Sequence, residues 1–437
     1  MSEDALLLEG SLGLGHEMLA GCCTGLLERS GWRARKLNSM SLLGPLSGQL
    51  GEGLFGKLIA VPALYDGIHF AHLRTGSRLA ELMDSRACAR LVPALRTELN
   101  DHPAQLVISV FATGASAAAR LKAEAPWRHT VVLCTDVAVH RLWVHEGTDL
   151  FLVTSPAAAA SVRRFLPRAT ISIVPPPVRS PFYTAPSQDA ARQSLGVPSH
   201  VPCVLLIDSG WGLGQFVESA AALAQSGVHV LAVAGRRRPV ERRLRVLAAE
   251  VHRVHAFGFT DRVPELMAAC DVVIALPGAT TCSEARVIGR QLLLLDLMPG
   301  HGRDNLQHEM ELGDAQVCGP TPADVTASAL AVLDGVTHPA PRHASPPRWE
   351  FAFTAALSRV GIDLEPAAIP RPVPTQLSPA TQLDLHGELE GSAPGVDEPI
   401  ADFGARAGSK ARAGSKARAG SKARAGSKAR ASKAQAS

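Results

Sequence analysis

Aromatic residues are scarce in this sequence, at 4% of its 437 positions. The interior must therefore consist mainly of aliphatic side chains, and a hydrophobic content of 46% supplies enough for two ordinary domains. No stretch approaches the roughly 18 consecutive apolar residues that a membrane-spanning helix needs. The opening residues, Met-Ser-Glu-Asp, also lack the basic start of a secretory signal. These absences predict a cytoplasmic protein.

Cysteine pairs with metal-binding spacing are missing as well. The eight cysteines contain no Cys-x-x-Cys motif and are scattered over positions 22, 23, 88, 134, 203, 270, 282 and 318. This distribution fits reduced thiols in the cytosol, so that we expect neither a disulfide framework nor a metal site.

Acidic residues are absent from the end of the chain. Between Arg406 and Lys433 there are five Arg and five Lys, in four copies of Ala-Arg-Ala-Gly-Ser-Lys and a broken fifth copy. Without these ten cations the net charge of +4 becomes −6, from 34 basic and 40 acidic residues. A six-residue repeat with nothing to bury predicts that 364–437 is disordered, with basic repeats at 405–433.

Short apolar runs alternate with helix-like patterns in the rest of the chain. The predicted strands form two series, 5–9, 105–111, 129–135, 150–154 and 171–174, then 202–208, 229–235, 251–259, 271–277 and 292–298. Such strands, with helices predicted between them at 215–226, 239–249 and 262–269, indicate parallel α/β sheets covered on both faces.

The three prolines at 175–177 cannot lie inside a helix or a central strand. They separate two predicted Rossmann-like domains, 1–176 and 177–335. The segment 336–363 is then a proline-rich crossing with an amphipathic helix that returns to the first domain. In open sheets of this kind ligands bind beyond the carboxyl ends of the strands, here in the cleft between the domains.

Residues 276–285, Leu-Pro-Gly-Ala-Thr-Thr-Cys-Ser-Glu-Ala, have the pattern of a strand that ends and a helix that begins. Unpaired amides at such a helix start favour a diphosphate, and Glu284 could accept hydrogen bonds from two ribose hydroxyls. The alternative is an ordinary helix, capped by Thr280, Thr281 or Ser283, with Glu284 in its favoured first turn.

A second glycine-rich loop, Asp-Ser-Gly-Trp-Gly-Leu-Gly at 208–214, follows another predicted strand. Gly210 and Gly212 would let the backbone approach a phosphate closely. The spacing differs from the dinucleotide fingerprint, and arginines at 236–238 stand where a ribose-binding acid would be expected. An NAD site is therefore disfavoured, and no cofactor is expected.

Two further stretches place ionisable groups directly after predicted strands. The first contains Gly13, Gly15 and His16, and the second contains Asp136, His140 and Trp143. Imidazole and carboxylate groups can act as general bases. The alternative for the second stretch is a polar loop with the tryptophan as a packing anchor.

Four segments, in register, resemble the monogalactosyldiacylglycerol synthase family. They are Ser-Leu-Gly-Leu-Gly-His at 11–16, Thr-Asp-Val-Ala-Val-His-Arg-Leu-Trp at 135–143, the stretch 258–285, and Pro-Gly-His-Gly-Arg-Asp-Asn at 299–305. The resemblance runs from about residue 5 to about residue 335. The peptidoglycan enzyme that adds N-acetylglucosamine to a lipid-linked precursor is a more distant relative.

This resemblance implies a GT-B glycosyltransferase with two Rossmann-like domains around a cleft. It implies an inverting hexosyltransferase that moves a sugar from a UDP-sugar to a membrane lipid hydroxyl, with no metal needed for the chemistry. The protein would then associate peripherally with the inner face of the cell membrane.

The resemblance also implies roles for the residues that match the family motifs. On the acceptor side it implies Gly13, Gly15, His140 and Trp143, with His16 or Asp136 as the base. On the donor side it implies Gly210 and Gly212 near the phosphates, Phe259 near the uracil, Gly278, Thr280 and Thr281 at the diphosphate, Glu284 at the ribose and Asn305 at the sugar.

The chain departs from the family pattern at His301 and Gly302, where the family has Gln-Glu. That pair commonly meets the hydroxyls of the donor sugar. The departure is compatible with a different sugar, with Asp304 as a substitute, or with a protein that binds nucleotide without turnover. A UDP-sugar epimerase of the same two-domain plan is a further alternative.

Two segments suggest contact with a membrane. Residues 40–65 are apolar and could insert shallowly beside the cleft or form a helix pair in the first domain. The basic tail could bind anionic lipid head groups, or nucleic acid without sequence preference, or serve only as a solubilising tail.

Overall fold

The computed structural model describes residues 3–10, 14–43, 66–208, 215–313, 315–336 and 348–364. Two parallel six-stranded sheets organise these residues. The first sheet contains β1 (Asp4–Glu9), β2 (Arg33–Asn38), β3 (Leu106–Ser109), β4 (His129–Cys134), β5 (Leu150–Val153) and β6 (Ile171–Ile173). The second contains β7 (Cys203–Ile207), β8 (His229–Val233), β9 (Val254–Phe257), β10 (Val272–Ala275), β11 (Gln291–Leu295) and β12 (Ala315–Cys318).

All ten predicted strands form, and two strands that the sequence pattern missed lie at sheet edges. β2 reads Arg-Ala-Arg-Lys-Leu-Asn, and its residues are mostly half-exposed. An edge strand has one side open to solvent, so it needs no continuous apolar run. β2 is held by parallel pairing with β1 and by Arg33, whose Nη2 lies 2.7 Å from Asp4 Oδ2. β12 is the other missed strand and borders β11 alone.

The strand orders are β2-β1-β3-β4-β5-β6 and β12-β11-β10-β7-β8-β9. The order reverses between β1 and β3 in the first sheet and between β7 and β10 in the second. At such a point the connections leave on opposite faces of the sheet and open a crevice at the carboxyl ends of the strands. We call the parts of the chain built on the two sheets the first and the second lobe.

Helices cover the sheets. Those of the first lobe are α1 (Leu14–Arg29), α2 (Arg78–Asp101), α3 (Ala112–Leu121) and α4 (Pro156–Phe165), with a π-helix at His69–Leu73 before α2. A short α5 (Ser180–Tyr183) follows the three prolines. Then come α6 (Gln188–Leu195), α7 (Phe216–Gln225), α8 (Arg238–Glu250), α9 (Val263–Ala269), α10 (Ala279–Ile288), α11 (His301–Glu311), α12 (Pro322–Val336) and α13 (Trp349–Ser358).

The last helix, α13, lies against the first lobe. Trp349 is buried and its Nε1 donates to the Val178 carbonyl at 2.9 Å. Arg359, just after α13, donates from Nη1 to the Ile171 carbonyl at 3.0 Å. The helix therefore joins the chain that follows the second sheet to β6 of the first.

No helix in the described ranges is long and apolar enough to cross a membrane. The predicted disordered tail, and most of the apolar stretch 40–65, lie outside the described residues.

Candidate active site

A cavity of about 550 Å³ lies between the two lobes at the carboxyl ends of the strands. It contains most of the residues that the sequence indicated, from both lobes: Gly15, His16, Asp136, His140, Trp143, Phe259, Gly278, Thr280, Thr281, Glu284 and Asn305. The other three predicted site residues, Gly13, Gly210 and Gly212, fall outside the described residues. Residues that are up to about 290 positions apart in the chain thus share one crevice.

His16 has a defined tautomer because of its position in the first turn of α1. Its Nδ1 lies 2.7 Å from the Val110 carbonyl, which can only accept, so Nδ1 carries the proton. Nε2 is then the nitrogen with a free electron pair in the neutral ring. The Phe111 ring packs edge-on against the imidazole, with 5.0 Å between the centroids. Burial lowers the pKa of His16, and the nearby Asp136 carboxylate partly opposes this effect. The ring is therefore neutral near pH 7.

Asp136 lies among three imidazoles, those of His16, His140 and His301. Burial lowers the pKa of His140 to about 4, with Asp136 acting in the opposite direction and His69 and His301 adding to the decrease. The pKa of His301 is also lowered, first by burial. A proton taken up by any of the three rings would therefore be stabilised by the same carboxylate.

Helix α10 begins at the cavity without a side-chain cap. Its N-cap residue is Gly278, and no side chain accepts from the first amides. The expectation of a cap by Thr280, Thr281 or Ser283 is therefore wrong. Gly278, Ala279, Thr280 and Thr281 all line the cavity. The open amides and the positive end of the helix dipole make this helix start favourable for a negatively charged group.

Glu284 lies in the second turn of α10, and not in the first turn as the sequence pattern suggested, because the helix begins at Ala279. The side chain is buried, and its Oε1 accepts from Arg179 Nε at 2.8 Å. Burial raises the pKa of Glu284, and the Arg179 guanidinium opposes this rise. Arg179 comes from the linker between the lobes and also borders the cavity, which sequence reasoning missed.

Phe259 lies at the rim of the cavity and is half-exposed. The Arg236 guanidinium lies over its ring at 4.7 Å from the centroid. Arg236 also forms two hydrogen bonds to the carboxylate of Glu17, the residue after His16, at 2.8 and 2.9 Å. This ion pair therefore bridges the lobes beside the aromatic ring.

The packing around position 302 explains why this residue is a glycine. A Cβ at this residue would lie 2.5 Å from Cβ and Cγ of Met298, far inside contact distance. Met298 lines the cavity instead, together with His301 and Asn305. Asp304 is not part of the lining and contacts the first lobe through His69 and Arg74, at 3.2 Å in each case. An Asp304 substitute for the family carboxylate inside the cavity is therefore wrong.

The first-lobe side of the cavity is strongly apolar, a feature that the sequence motifs did not indicate. The side chains that make it so are Met18, Leu19, Met40, Ile68, Leu73, Met83, Phe111 and Leu142. They come from α1, the π-helix, α2 and the loops after β2, β3 and β4. No local pattern could identify them as cavity residues, since apolar side chains in helices and loops are equally typical of an ordinary core.

Within the described part of the chain, no group of three or more His, Cys, Asp or Glu side chains is arranged to hold a metal ion. The polar groups that line the cavity include the imidazoles, the carboxylates, Arg179 and the backbone amides described above, together with Asn305 and several threonines.

Two family models match this chain. Residues 77–178 match monogalactosyldiacylglycerol synthase, and residues 212–318 match the glycosyltransferase family 28 C-terminal domain. The chain resembles monogalactosyldiacylglycerol synthases. The resemblance inferred from the four motifs is thus confirmed, with one model in each lobe.

Individual relatives agree with the family models. A probable chloroplastic monogalactosyldiacylglycerol synthase of Glycine max is 30% identical over 196 residues, which cover 42% of this chain and 37% of that protein. A processive diacylglycerol β-glucosyltransferase of Bacillus pumilus is 25% identical over 43% of this chain and 50% of that protein. The chain thus spans half or less of the length of these relatives.

Solved structures confirm the GT-B fold. The S. aureus MnaA–UDP structure has a TM-score of 0.55 at 11% identity and covers 82% of this chain and 96% of that one. Phytolacca americana UGT2, complexed with UDP-2-fluoroglucose and pterostilbene, has a TM-score of 0.50 at 12% identity, with coverage of 82% and 99%. At such identities the likeness concerns the fold alone.

Proposed function

We propose that this protein is an inverting glycosyltransferase that moves a sugar from a UDP-sugar to the hydroxyl of a membrane lipid. One observation carries the proposal: the uncapped start of α10 and the neutral imidazole of His16 line the same cavity, which is apolar on its first-lobe side. The relatives, named as synthases and glucosyltransferases of diacylglycerol, support this choice of substrates.

The donor would bind on the second lobe. The diphosphate lies beside Gly278 and at the amides of Thr280 and Thr281, where the helix dipole stabilises its charge. Glu284 holds the ribose hydroxyls with its carboxylate, which Arg179 keeps in place. The uracil lies near Phe259, and Gly210 and Gly212 contribute backbone near the phosphates. Asn305 would contact the sugar; it is buried, and its Oδ1 accepts from Val137 N at 3.2 Å, which holds the side chain in place.

The acceptor would enter from the first lobe, with its alkyl chains against the methionine- and leucine-rich side of the cavity. His140, Trp143 and the bare backbone of Gly15 border this side. Gly13, two residues before Gly15 in the same motif, is proposed to help admit the hydroxyl. An apolar cavity wall of this kind is favourable for hydrocarbon, because water leaves it on binding.

In the reaction, Nε2 of His16 accepts the proton of the lipid hydroxyl while the hydroxyl oxygen attacks the anomeric carbon. The bond from that carbon to the diphosphate oxygen breaks, and its electron pair leaves with UDP. Asp136 stabilises the imidazolium, and the α10 amides stabilise the leaving diphosphate. Attack opposite to the leaving group inverts the anomeric centre. No step in this scheme requires a metal or a further cofactor.

The proposal is tested with purified protein, a panel of UDP-sugars and a total lipid extract, with products identified by mass. A product heavier than an extracted lipid by one hexosyl residue, together with stoichiometric UDP, supports it. Tight UDP-sugar binding without UDP release favours a non-catalytic nucleotide-sugar-binding protein instead. Conversion of the UDP-sugar without lipid favours an epimerase of the same two-domain plan.

We further propose peripheral attachment to the inner face of the cell membrane, supported by the ten cations between Arg406 and Lys433. Near an anionic surface each cation contributes about 1 kcal/mol, less at high salt. Deleting 405–437 should then reduce sedimentation with phosphatidylglycerol vesicles in a salt-dependent way. Loss of DNA binding without loss of vesicle binding would instead assign the tail to nucleic acid.

A further inference from the structure

The first turn of α11 is held by the first lobe, although its residues belong to the second. Asp66 Oδ1 accepts from the Gly300 amide at 2.6 Å, and Asp66 Oδ2 lies 3.2 Å from Arg303 Nη2. His69 Nε2 and Arg74 Nη1 each lie 3.2 Å from a carboxylate oxygen of Asp304. Four polar contacts thus join residues 66–74, which we call the clamp segment, to one helical turn.

These contacts differ in strength. His69 is fully buried, and the side chains of Asp66 and Asp304 are only 19% and 15% exposed, so that little water screens them. The Arg74 side chain is 45% exposed, and an ion pair with such a partner contributes little. Asp66 adds a negative charge at the start of α11, where the helix dipole favours it. Asp66, His69 and Asp304 therefore carry most of the attachment.

The turn that is held in this way presents two residues to the cavity, His301 and Asn305. They occupy the part of the site where the family Gln-Glu pair is replaced. Arg303 and Asp304 face the clamp segment, while His301 and Asn305 border the cavity. The geometry of the sugar side of the site therefore depends on a contact outside the cavity.

The clamp segment also contributes to the other side of the cavity. Ile68 and Leu73, which belong to it, line the apolar wall, while Asp66 and His69 contact the second lobe. Part of the segment lies in a π-helix. This conformation is rare in proteins overall, but where it occurs it is frequently found at functional sites. One short element thus touches both the wall proposed for the acceptor and the helix proposed for the sugar.

We propose that residues 66–74 form a clamp that positions α11 for the donor sugar, with Asp66 and Asp304 as positioning residues. This inference rests on the proposed function in one respect, that the donor is a UDP-sugar. Because the segment both contributes to the acceptor wall and holds the helix that borders the sugar side, occupancy of the two sides is coupled, and by linkage each substrate favours binding of the other.

The test uses the full chain and the variant Asp304→Asn, which keeps the shape and removes the charge. Asp324→Asn is the matched control: Asp324 also lies in the first turn of a second-lobe helix, but among the described residues its side chain accepts from Thr321, the residue just before that helix, and not from the first lobe. Calorimetry without lipid compares UDP with UDP-glucose and UDP-galactose. We expect UDP affinity within about twofold of wild type and UDP-sugar affinity about tenfold weaker in Asp304→Asn, a typical size for such coupling.

Hydrogen exchange provides a readout without any ligand. In Asp304→Asn the amides of the first turn of α11 should exchange faster than in wild type, while the amides of α10 should exchange at the wild-type rate. In the control variant Asp324→Asn the α11 amides should also exchange at the wild-type rate. Asp66→Ala should act in the same way, and Asp66→Asn, whose amide oxygen can still accept from Gly300, should restore most of the protection. The melting temperature identifies a variant that merely fails to fold.

The outcomes separate the two proposals. Unchanged exchange in α11, or equal weakening of UDP and UDP-sugar, overturns the clamp. A wild-type protein that binds neither UDP nor a UDP-sugar overturns the proposed donor, while the exchange experiment still decides on the attachment of α11.

Discussion

Arg179 Nε lies 2.8 Å from Glu284 Oε1, and this pair connects the linker between the lobes to the helix whose open amides border the cavity. The Glu284 side chain is 4% exposed and that of Arg179 is 27% exposed. A charged carboxylate in this position without its partner would lower the free energy of unfolding. The linker arginine is therefore required if the glutamate is to stay charged.

Replacing Arg179 by Ala should therefore destabilise the protein by about 3 kcal/mol, the order found when a buried pair loses one partner. Urea unfolding measures this. Arg33→Ala is the matched control, because Arg33 is 72% exposed and its pair with Asp4 should contribute little to stability. Adding Glu284→Gln to Arg179→Ala should recover part of the lost free energy of unfolding, because the unpaired buried charge is removed. No recovery would contradict the role of Arg179 as the partner of that charge.

Glu284→Ala should weaken UDP binding, because the proposed contact to the ribose hydroxyls is lost. We expect a decrease of about tenfold, the effect of one charge-assisted hydrogen bond. Calorimetry with UDP checks this, with Glu250→Ala, at the far end of α8, as a control. Unchanged affinity would remove Glu284 from the ribose site.

His16→Ala should abolish sugar transfer and leave UDP affinity nearly intact, since the ring is proposed to act only on the acceptor. Loss of a general base typically lowers the rate by about 10²- to 10⁴-fold. Transfer assays with calorimetry on the same sample test both halves. His102→Ala, an exposed histidine after α2, is the control. Unimpaired transfer in His16→Ala would leave Asp136 as the base.

The pH dependence of kcat/KM should reflect the lowered pKa of His16. A base acts only when it is deprotonated, so activity should be constant above the ordinary histidine pKa and decrease only below it, as the pH falls through the lowered pKa of His16. Asp136 raises this pKa, so Asp136→Asn should move the acidic limb to still lower pH and reduce the maximal rate. A limb that moves to higher pH would contradict this relationship.

Acid should also unfold the protein through the cavity histidines. The pKa of His140 is about 4 in the folded state, so its contribution to stability is present above the unfolded value and is lost as the pH falls towards 4. Urea unfolding between pH 7 and 4.5 should show decreasing stability, with a shallower slope for His140→Gln. Equal slopes for the two proteins would show that groups other than His140 determine the pH dependence of stability.

Gly302→Ala should destabilise the protein by about 1–3 kcal/mol, because the new methyl group collides with Met298. Met298→Gly, which removes both Cβ and Cγ, should relieve the collision, so that the double variant is more stable than the sum of the two single changes predicts. Thermal unfolding of the four proteins completes the cycle. Strict additivity would show that the Met298 side chain does not account for the glycine.

The central strands were predictable, because strands buried on both faces require continuous apolar runs such as that of β1. β2 and β12 were not, since an edge strand is held by pairing with its neighbour and β2 is largely polar. The strand-to-helix turns that carry His16, Asp136 and Thr280 were also visible, because glycines and ionisable residues there follow directly on apolar runs.

The sequence by itself determined the two α/β lobes, the basic tail and the motif residues of the cavity, since each depends on local pattern or on a motif. Only the tertiary structure decided the partners across the crevice. Arg179 reaches Glu284 over 105 positions, and Asp66 reaches Gly300 over 234. Such contacts depend on how two independently patterned sheets face each other, and no local periodicity encodes that arrangement.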